Sequence, residues 1–467
     1  MNENRGSLWT LAVTTVAFFM VTLDALVVIT ALPALHRELG GDLSALDWTV
    51  NAYLLTFAAG IVPAAALGDR FGRRAVYGLG LLLFAGASAA CALAPGIAEL
   101  IAARAVQGLG AAVIAPLSLT LLTSAFPATR RGAIVGIWGG VGGLAVAAGP
   151  LVGGAVTQGL SWHWIFWVNV PIGVAAAILA RLVLARSPRS AAGLDLPGSV
   201  LVAAGAGAAA WGLVRASTAG WLDPAVLALL ALGLGLLAGF AVWESRAAEP
   251  MMPLRLFRAP GFGAAVAVSF LMTGSIISAA FLMSEYFQLG LRYSPLETGL
   301  RFLPWTATPL VVAPLAGVIS DRIGRRGVMA AGLLLQAVGL TWVAVLATNA
   351  SGYAPFIAPL VLAGVGVSMA LPLAPTAALS AVHPTDLGKA SGVTNTLQRL
   401  GGVFAVALVS AVFGAGTHLD SAATVSAALR PALEVSAGLS LLGGLAALAV
   451  VARRPAVAPV VSAEVAA

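Results

Sequence analysis

Runs of apolar residues, each about as long as a bilayer is thick, alternate with short polar loops along most of this chain. A membrane-crossing helix needs about 20 mainly apolar residues. Fourteen runs meet that requirement: 8–35, 48–67, 75–93, 97–124, 132–156, 164–184, 196–214, 222–243, 262–287, 296–320, 327–346, 355–380, 391–414 and 432–452. Most are hydrophobic all round, as bundled membrane helices are, and they lack the alternation of a barrel strand. The expected fold class is an all-α integral membrane protein with 14 spans.

Composition agrees. Hydrophobic residues make up 60% of the chain and charged residues 9%, too few to cover a soluble fold of this size. The first apolar run is too long, and lacks the basic leader, for a cleavable signal peptide. Cys91 is the only cysteine, and the four histidines, His36, His163, His383 and His418, have no metal-ligand spacing, so neither a disulfide framework, a metal nor a cofactor is expected. The net charge of +7 comes from arginines in short loops, which points to membrane topology rather than nucleic acid. With an even number of spans, 18 of the 25 basic residues fall in the loops or tails on the side of the two termini. Arg37, Arg215, Arg292, Arg301 and Arg430 fall on the other side, and Arg104 and Arg399 lie within spans. The excess predicts both termini in the cytoplasm and a multi-pass protein of the cell (cytoplasmic) membrane.

One stretch occurs twice. Leu67-Gly68-Asp69-Arg70-Phe71-Gly72-Arg73-Arg74 returns as Ile319-Ser320-Asp321-Arg322-Ile323-Gly324-Arg325-Arg326, each time between two spans on the cytoplasmic side. An in-line duplication of six spans follows, with substrate expected between the halves. It divides the chain into an N-terminal six-helix bundle (8–186), an inserted helix pair with its linkers (187–261), a C-terminal six-helix bundle (262–454) and a cytoplasmic tail (455–467).

These residues resemble the major facilitator superfamily, in its fourteen-helix drug:proton antiporter branch. The Asp69-Arg70-Phe71-Gly72-Arg73 loop is similar to the family's signature between spans 2 and 3, although Ala65 stands where that pattern opens with Gly; the second copy keeps Gly317. Arg104-Ala105-Val106-Gln107-Gly108-Leu109-Gly110 resembles its fourth-span arginine motif, and Gly149-Pro150-Leu151-Val152-Gly153-Gly154 its antiporter motif. Leu23-Asp24 with Ala31-Leu32-Pro33 resembles the first-span motif of the branch, but Ala25-Leu26-Val27-Val28 replaces its more polar core. Trp164-Ile165-Phe166, Asn169-Val170-Pro171 and Pro253-Leu254-Arg255-Leu256-Phe257-Arg258 are similar to further motifs of the branch. The resemblance implies the two-bundle fold, proton-coupled drug export, and an Asp69 that bonds near the start of span 13 in the outward-open state.

Asp24 is the only charge in the first span. A carboxylate at mid-membrane costs roughly 2.5–3.5 kcal/mol on insertion scales, which marks it as functional. Sixteen residues at about 1.5 Å each bring it roughly 24 Å in from the cytoplasmic side, while Arg104 lies roughly 10 Å below the outer surface. The two come to similar depth and are expected to meet across the central cavity. Asp24 reads as the proton carrier tuned by Arg104; a static ion pair holding helices together is the alternative. Gln107 shares the face of Arg104. Asn51, Asn395 and Gln398 are candidate cavity groups or plain interhelical bonds. Gly149, Pro150, Gly153 and Gly154 read, through the resemblance, as a gasket and hinge against proton leakage. Asp69, Arg70, Gly72, Arg73, Asp321, Arg322 and Arg325 read as a conformational latch. Glu285, about 35 Å along its span, reads as a wetted rim residue beside Tyr286, with a second proton site as the alternative. Trp162, Trp164 and Trp167 read as interfacial anchors, and His163 as a loop residue.

No nucleotide-binding loop and no nucleophile–base set occur in the sequence, so an ion gradient supplies the energy and enzyme activity is not expected. Two functions remain: export of a lipophilic small molecule, cationic or neutral, in exchange for protons, or export of lipid or a cell-envelope precursor. The expected partners are that molecule, protons and membrane lipid, with the protein as a monomer.

Overall fold

The computed structural model describes residues 3–40, 43–185, 195–248, 250, 252–347, 352–383, 386–414 and 422–451. All regular structure among them is helical. The first half contains α1 (Glu3–Leu39), α2 (Leu43–Phe71), α3 (Arg73–Ala92), α4 (Ile97–Ser124), α5 (Ala128–Gly159), α6 (His163–Trp167) and α7 (Asn169–Val183). α8 (Leu196–Ala219) and α9 (Pro224–Arg246) follow as a pair. The second half contains α10 (Phe262–Glu285), α11 (Pro295–Thr306), α12 (Pro309–Ile323), α13 (Arg325–Ala347), α14 (Ile357–Ala370), α15 (Leu373–Ser380), α16 (Leu387–Phe413) and α17 (Ala422–Ala447).

Twelve helical stretches among the described residues are long and apolar enough to cross a membrane. A thirteenth is added if the two arms of α2, bent by 48° at the break before Pro63, form one span. α6 with α7, α11 with α12, and α14 with α15 each make one stretch. This is a multi-pass membrane protein.

Local chemistry explains several boundaries. The side chains of Asp195 and Asp223 cap the starts of α8 and α9, each with proline in the first turn. Ser294 and Glu297 form a capping box at α11. Both copies of the repeated motif turn on a glycine of positive φ, Gly72 at 97° and Gly324 at 88°, where a β-carbon is strained.

Within the first half α4 packs on α2 and α3, α5 on α1, and α7 on α3. In the second half α10 packs on α16 and α17, and α13 on α14 and α17. The paired α8 and α9 adjoin both halves through α8, which touches α2 and α16.

The two ends of the bundle differ. At the near end, where α1 begins, the Ser7 hydroxyl donates to Ala125 O at 3.1 Å. At the far end, where α1 finishes, the halves are joined. Ser284 Oγ donates to Ile29 O and Gln288 Nε2 to Thr30 O, both at 3.0 Å. The Leu296 amide donates to Gln158 Oε1 at 3.1 Å. Gly154 lies directly against the Pro295 backbone, and a β-carbon on Gly299 would stand 2.5 Å from Pro150 O. Small residues let α5 and α11 touch backbone to backbone and seal this end. At mid-depth Thr396 Oγ1 donates to Ala58 O at 3.3 Å.

Candidate functional site

α1, α2, α3, α4 and α7 converge on one polar knot inside the first half. Asp24, 2% exposed, accepts three hydrogen bonds. Arg104 Nη1 reaches its Oδ2 at 2.6 Å. Gln107 Nε2 and Asn169 Nδ2 reach its Oδ1 at 2.9 and 2.8 Å. Charge-assisted bonds of this length are the strong ones, and they offset the desolvation of a buried carboxylate.

Arg104 is fully buried. Its Nε donates to Thr49 O at 3.0 Å and its Nη1 also meets Gln107 Oε1 at 2.6 Å. The guanidinium lies 4.1 Å from the centre of the Tyr53 ring and 5.8 Å from that of Phe166. Nη2 has no partner among the described residues. Gln107 donates onward to Ser88 Oγ at 2.8 Å, and the Cys91 thiol lies 3.7 Å from its Oε1. Tyr53 is fixed in turn by donating to Val21 O at 3.1 Å.

The equal depth expected of Asp24 and Arg104 is what lets them pair, but they meet inside the first half rather than across a cavity between halves. Gln107 joins them. Asn169 is a member of the knot that the sequence showed only as part of a motif; an amide inside an apolar run was its signal. Ser88, Thr49 and Tyr53 carried no signal of their own.

The other candidates lie elsewhere. Asn51 is fully buried, and neither side-chain amide atom has a partner among the described residues. Asn395 and Gln398 stand on α16 in the second half. Asn395 is exposed and donates to Ser391 O at 2.9 Å, and Gln398 is half-buried. Gly149 packs on Leu26 of α1, with a built β-carbon 2.7 Å from Leu26 Cβ, and Gly153 packs on Val27 and Thr30. Pro150 and Gly154 face α11 at the far-end seal. The antiporter-like motif therefore packs directly on Asp24's own helix, within two turns of Asp24, and touches the other half as well.

At the near end Asp69 pairs with Arg73 of its own loop at 2.8 Å. Arg70 lies 5.5 Å over the Phe71 ring. In the second copy Arg325 donates to Ser380 Oγ at 2.9 Å, Arg322 is exposed, and the side chain of Asp321 lies outside the described residues.

Two expectations need correction. Glu285 is not a wetted rim residue: it is 2% exposed, and its Oε1 has no partner among the described residues. Counting along one helix misses what covers its end. Phe287, two residues past Glu285, has the rings of Tyr293, Phe302, Tyr353 and Phe356 about 6 Å from its own, an aromatic cluster at the end of α10. Trp162 is not a lipid-facing anchor either. It is buried, stacks on His163 with centroids 3.7 Å apart, and donates to Glu38 Oε2 at 2.8 Å. Trp164 is half exposed. His163 opens α6 and lies 3.7 Å from Glu38.

The profile of the Major Facilitator Superfamily matches residues 14–285 and again 262–466, two overlapping copies that together span nearly all of the chain. A tetracenomycin C resistance and export protein of Streptomyces glaucescens is 36% identical over 87% of this chain and 76% of its own length. A cephamycin export protein, CmcT, of Amycolatopsis lactamdurans is 38% identical over 86% of this chain and 84% of its own. The methylenomycin A resistance protein of Streptomyces coelicolor is 33% identical over 93% of this chain and 90% of its own. Among solved structures, the peptide transporter POT with sulfate bound superposes with a TM-score of 0.69 at 16% identity, over 96% of this chain and 98% of that one. The xylose transporter XylE from E. coli gives 0.63 at 15%, over 94% and 98%. These two share the fold. Two bundles, the doubled motif and the profile matches agree: the chain belongs to the Major Facilitator Superfamily, where it groups with antibiotic-resistance and export proteins.

Proposed function

We propose that this protein exports lipophilic small molecules, drugs or antibiotics among them, in exchange for protons by alternating access. It moves its substrate rather than transforming it. The observation that carries the proposal is the buried Asp24 held by Arg104, Gln107 and Asn169 in a protein whose halves are sealed at one end only by small-residue packing and a few hydrogen bonds. α5 supplies the remaining crossing of a fourteen-span topology. On the excess of basic loops we put the near end in the cytoplasm and the sealed far end outside.

A proton arriving at Asp24 removes the negative charge that organises the knot. Arg104 then loses its counter-ion, and one of the carboxyl oxygens becomes a donor where Gln107 and Asn169 also donate. α1 carries Asp24 and, less than two turns further on, Ile29 and Thr30, whose carbonyls accept the far-end bonds from α10. A change in the knot is thus transmitted along one rigid helix to the seal. Asp69, paired here with Arg73, is the latch that engages the start of α16 when the near end closes. Gly149 and Pro150 keep α5 close to α1 and α11 during the exchange, as a gasket.

Reconstitution into liposomes tests the proposal. A dye or antibiotic leaving against its gradient while protons move the opposite way is the expected result. Movement of labelled phospholipid with no such exchange would instead assign the scaffold to lipid or a cell-envelope precursor, and catalytic turnover of a substrate by purified protein would overturn transport altogether.

A further inference from the structure

Arg104 is neutralised by Asp24, but a second arginine lies within a span without such a partner. Arg399 stands twelve residues into α16, about 18 Å along it and therefore near mid-membrane. It is half-buried, and its guanidinium carbon lies 4.3 Å from the centre of the Phe57 ring on α2. No carboxylate forms an ion pair with it among the described residues.

Its surroundings place it between the halves. Tyr53 and Phe57 are one turn apart on α2, with ring centres 5.8 Å apart. They occupy the face of α2 turned to α1 and α4: Tyr53 bonds Val21 O, and its own carbonyl is packed by Gly108. Leu55, on the opposite face, meets Gly207 of α8. On α16, Gly402 lies three residues beyond Arg399 and touches both Leu54 of α2 and Ile277 of α10. Asn395, one turn before Arg399 on the same face, is exposed, and Ser391 lies a turn before that. The stripe Ser391, Asn395, Arg399 runs from the near end to mid-depth, and a polar stripe inside a span faces water rather than lipid.

An uncompensated arginine at this depth is expensive and marks a ligand path. We infer that Arg399 is the counter-charge for an anionic group on the exported molecule, so that the substrate class is a lipophile bearing a carboxylate or a comparably acidic group. The inference rests on the exporter reading and adds the sign of the substrate's charge. Asp24 does not contradict it, because its carboxylate is saturated by Arg104, Gln107 and Asn169 and presents no free negative charge between the halves. Arg399 binds and orients the acidic group, Asn395 offers a neutral polar contact beside it, and the Phe57 ring holds the guanidinium in place.

Fluorescence binding to the full chain in nanodiscs tests this with three probes: pyrenebutyrate, its neutral methyl ester, and the cation tetraphenylphosphonium. The expected order for the wild type is pyrenebutyrate at least tenfold tighter than the ester, with the cation weakest. Arg399→Gln removes the preference for pyrenebutyrate over the ester and leaves the ester's own affinity within twofold, whereas Arg399→Lys retains most of the preference. Equal binding of acid and ester by the wild type, or tighter binding of the cation, overturns the inference without any variant being needed. Proton-coupled efflux of a neutral drug by wild-type proteoliposomes reads the exporter function separately. If that efflux occurs and acids are not preferred, the Arg399 assignment alone fails.

Discussion

Asp24→Asn is the most informative substitution, because two consequences of very different size follow from one atom pair. The variant keeps the shape of the side chain and deletes the charge 2.6 Å from Arg104 Nη1. Arg104 then stays buried with Thr49 O, Gln107 Oε1, a neutral amide oxygen at position 24 and the Tyr53 face to hold it, and no counter-charge. Stranding one member of a buried ion pair destabilises by about 3–5 kcal/mol. Removing the second charge as well, in Asp24→Asn with Arg104→Gln, is expected to recover most of that loss, since the two residues are coupled. Transport separates the two effects. One charge crossing 100 mV supplies about 2.3 kcal/mol, enough to hold a neutral substrate at a concentration ratio of about 50. Both variants are expected to equilibrate substrate across proteoliposomes and to hold no ratio above one under an imposed potential. Thermal unfolding in detergent and substrate accumulation are measured on the same preparations. Uphill accumulation by either variant refutes the assignment of the proton to Asp24, whatever the stability result.

Asn169→Leu removes one charge-assisted bond to Asp24 and is expected to lower stability by about 1.5–3 kcal/mol, read from denaturation of the purified protein; an unchanged midpoint would mean that Asn169 is a bystander. Gly299→Val drives a side chain into the Pro150 carbonyl, so the far end is expected to stay open, and a reporter cysteine at Gln158 should label faster from outside than in the wild type. Glu285→Met removes a buried carboxyl with an unpartnered oxygen and is expected to raise the unfolding temperature; a fall would reveal a partner or a water on which the fold depends. The Arg255–Asp386 pair, exposed on its arginine side, is a pH reporter. Its two hydrogen bonds, at 2.7 and 2.8 Å, and then the guanidinium's charge hold the Asp386 carboxyl below its usual range. A lowered folded-state value means that the pair's stabilisation is present above the ordinary carboxylate range and is lost as pH falls through the depressed value. The stability difference between wild type and Asp386→Asn is therefore expected to be flat from pH 7 to about 4 and to shrink only below that. A difference already vanishing at pH 6 contradicts the pairing.

Much of this protein is readable from a single dimension, and the parts that are not share a cause. A span announces itself by some 20 apolar residues, and Asp24 announces itself by being charged among them. Depth follows from residue count, which is why the partnership with Arg104 could be foreseen. Lateral position does not follow from residue count. Nothing in the chain says that Asn169 turns toward α1, that Arg399 comes over the Phe57 ring, or that four aromatic rings gather round Phe287 beside Glu285. Breaks inside spans are equally hard to read. α2 bends before Pro63 and α11 gives way to α12 at Ala307, after Pro304, yet Pro116 and Pro150 leave α4 and α5 continuous. Neighbouring helices decide which proline becomes a break, and the sequence alone does not name the neighbours.

The duplication gives the two halves the same scaffold but not the same chemistry. In the first half Asp24 on α1, Ser88 on α3 and Asn169 on α7 surround Gln107 and Arg104. The second half repeats the pattern without ionisable groups. Ser278 Oγ meets Ser436 Oγ at 2.8 Å between α10 and α17, Gln336 Nε2 on α13 reaches Ser275 Oγ at 3.3 Å, and Ser440 Oγ meets Gln336 Oε1 at 3.1 Å. A neutral knot of this kind holds helices together and has no titratable member. The two proposed sites, a proton at Asp24 in the first half and an acidic group at Arg399 in the second, are then separate, and the two ligands do not compete for the same atoms. Coupling requires only that each binds the two access states with different free energy. α2 is the element that both sites touch: Tyr53 lies beneath Arg104 and Phe57 beneath Arg399, one turn apart on the same helix. A shift of α2 against α16 changes both contacts together, so loss of the Phe57 ring should loosen the link between proton and substrate while leaving each able to bind.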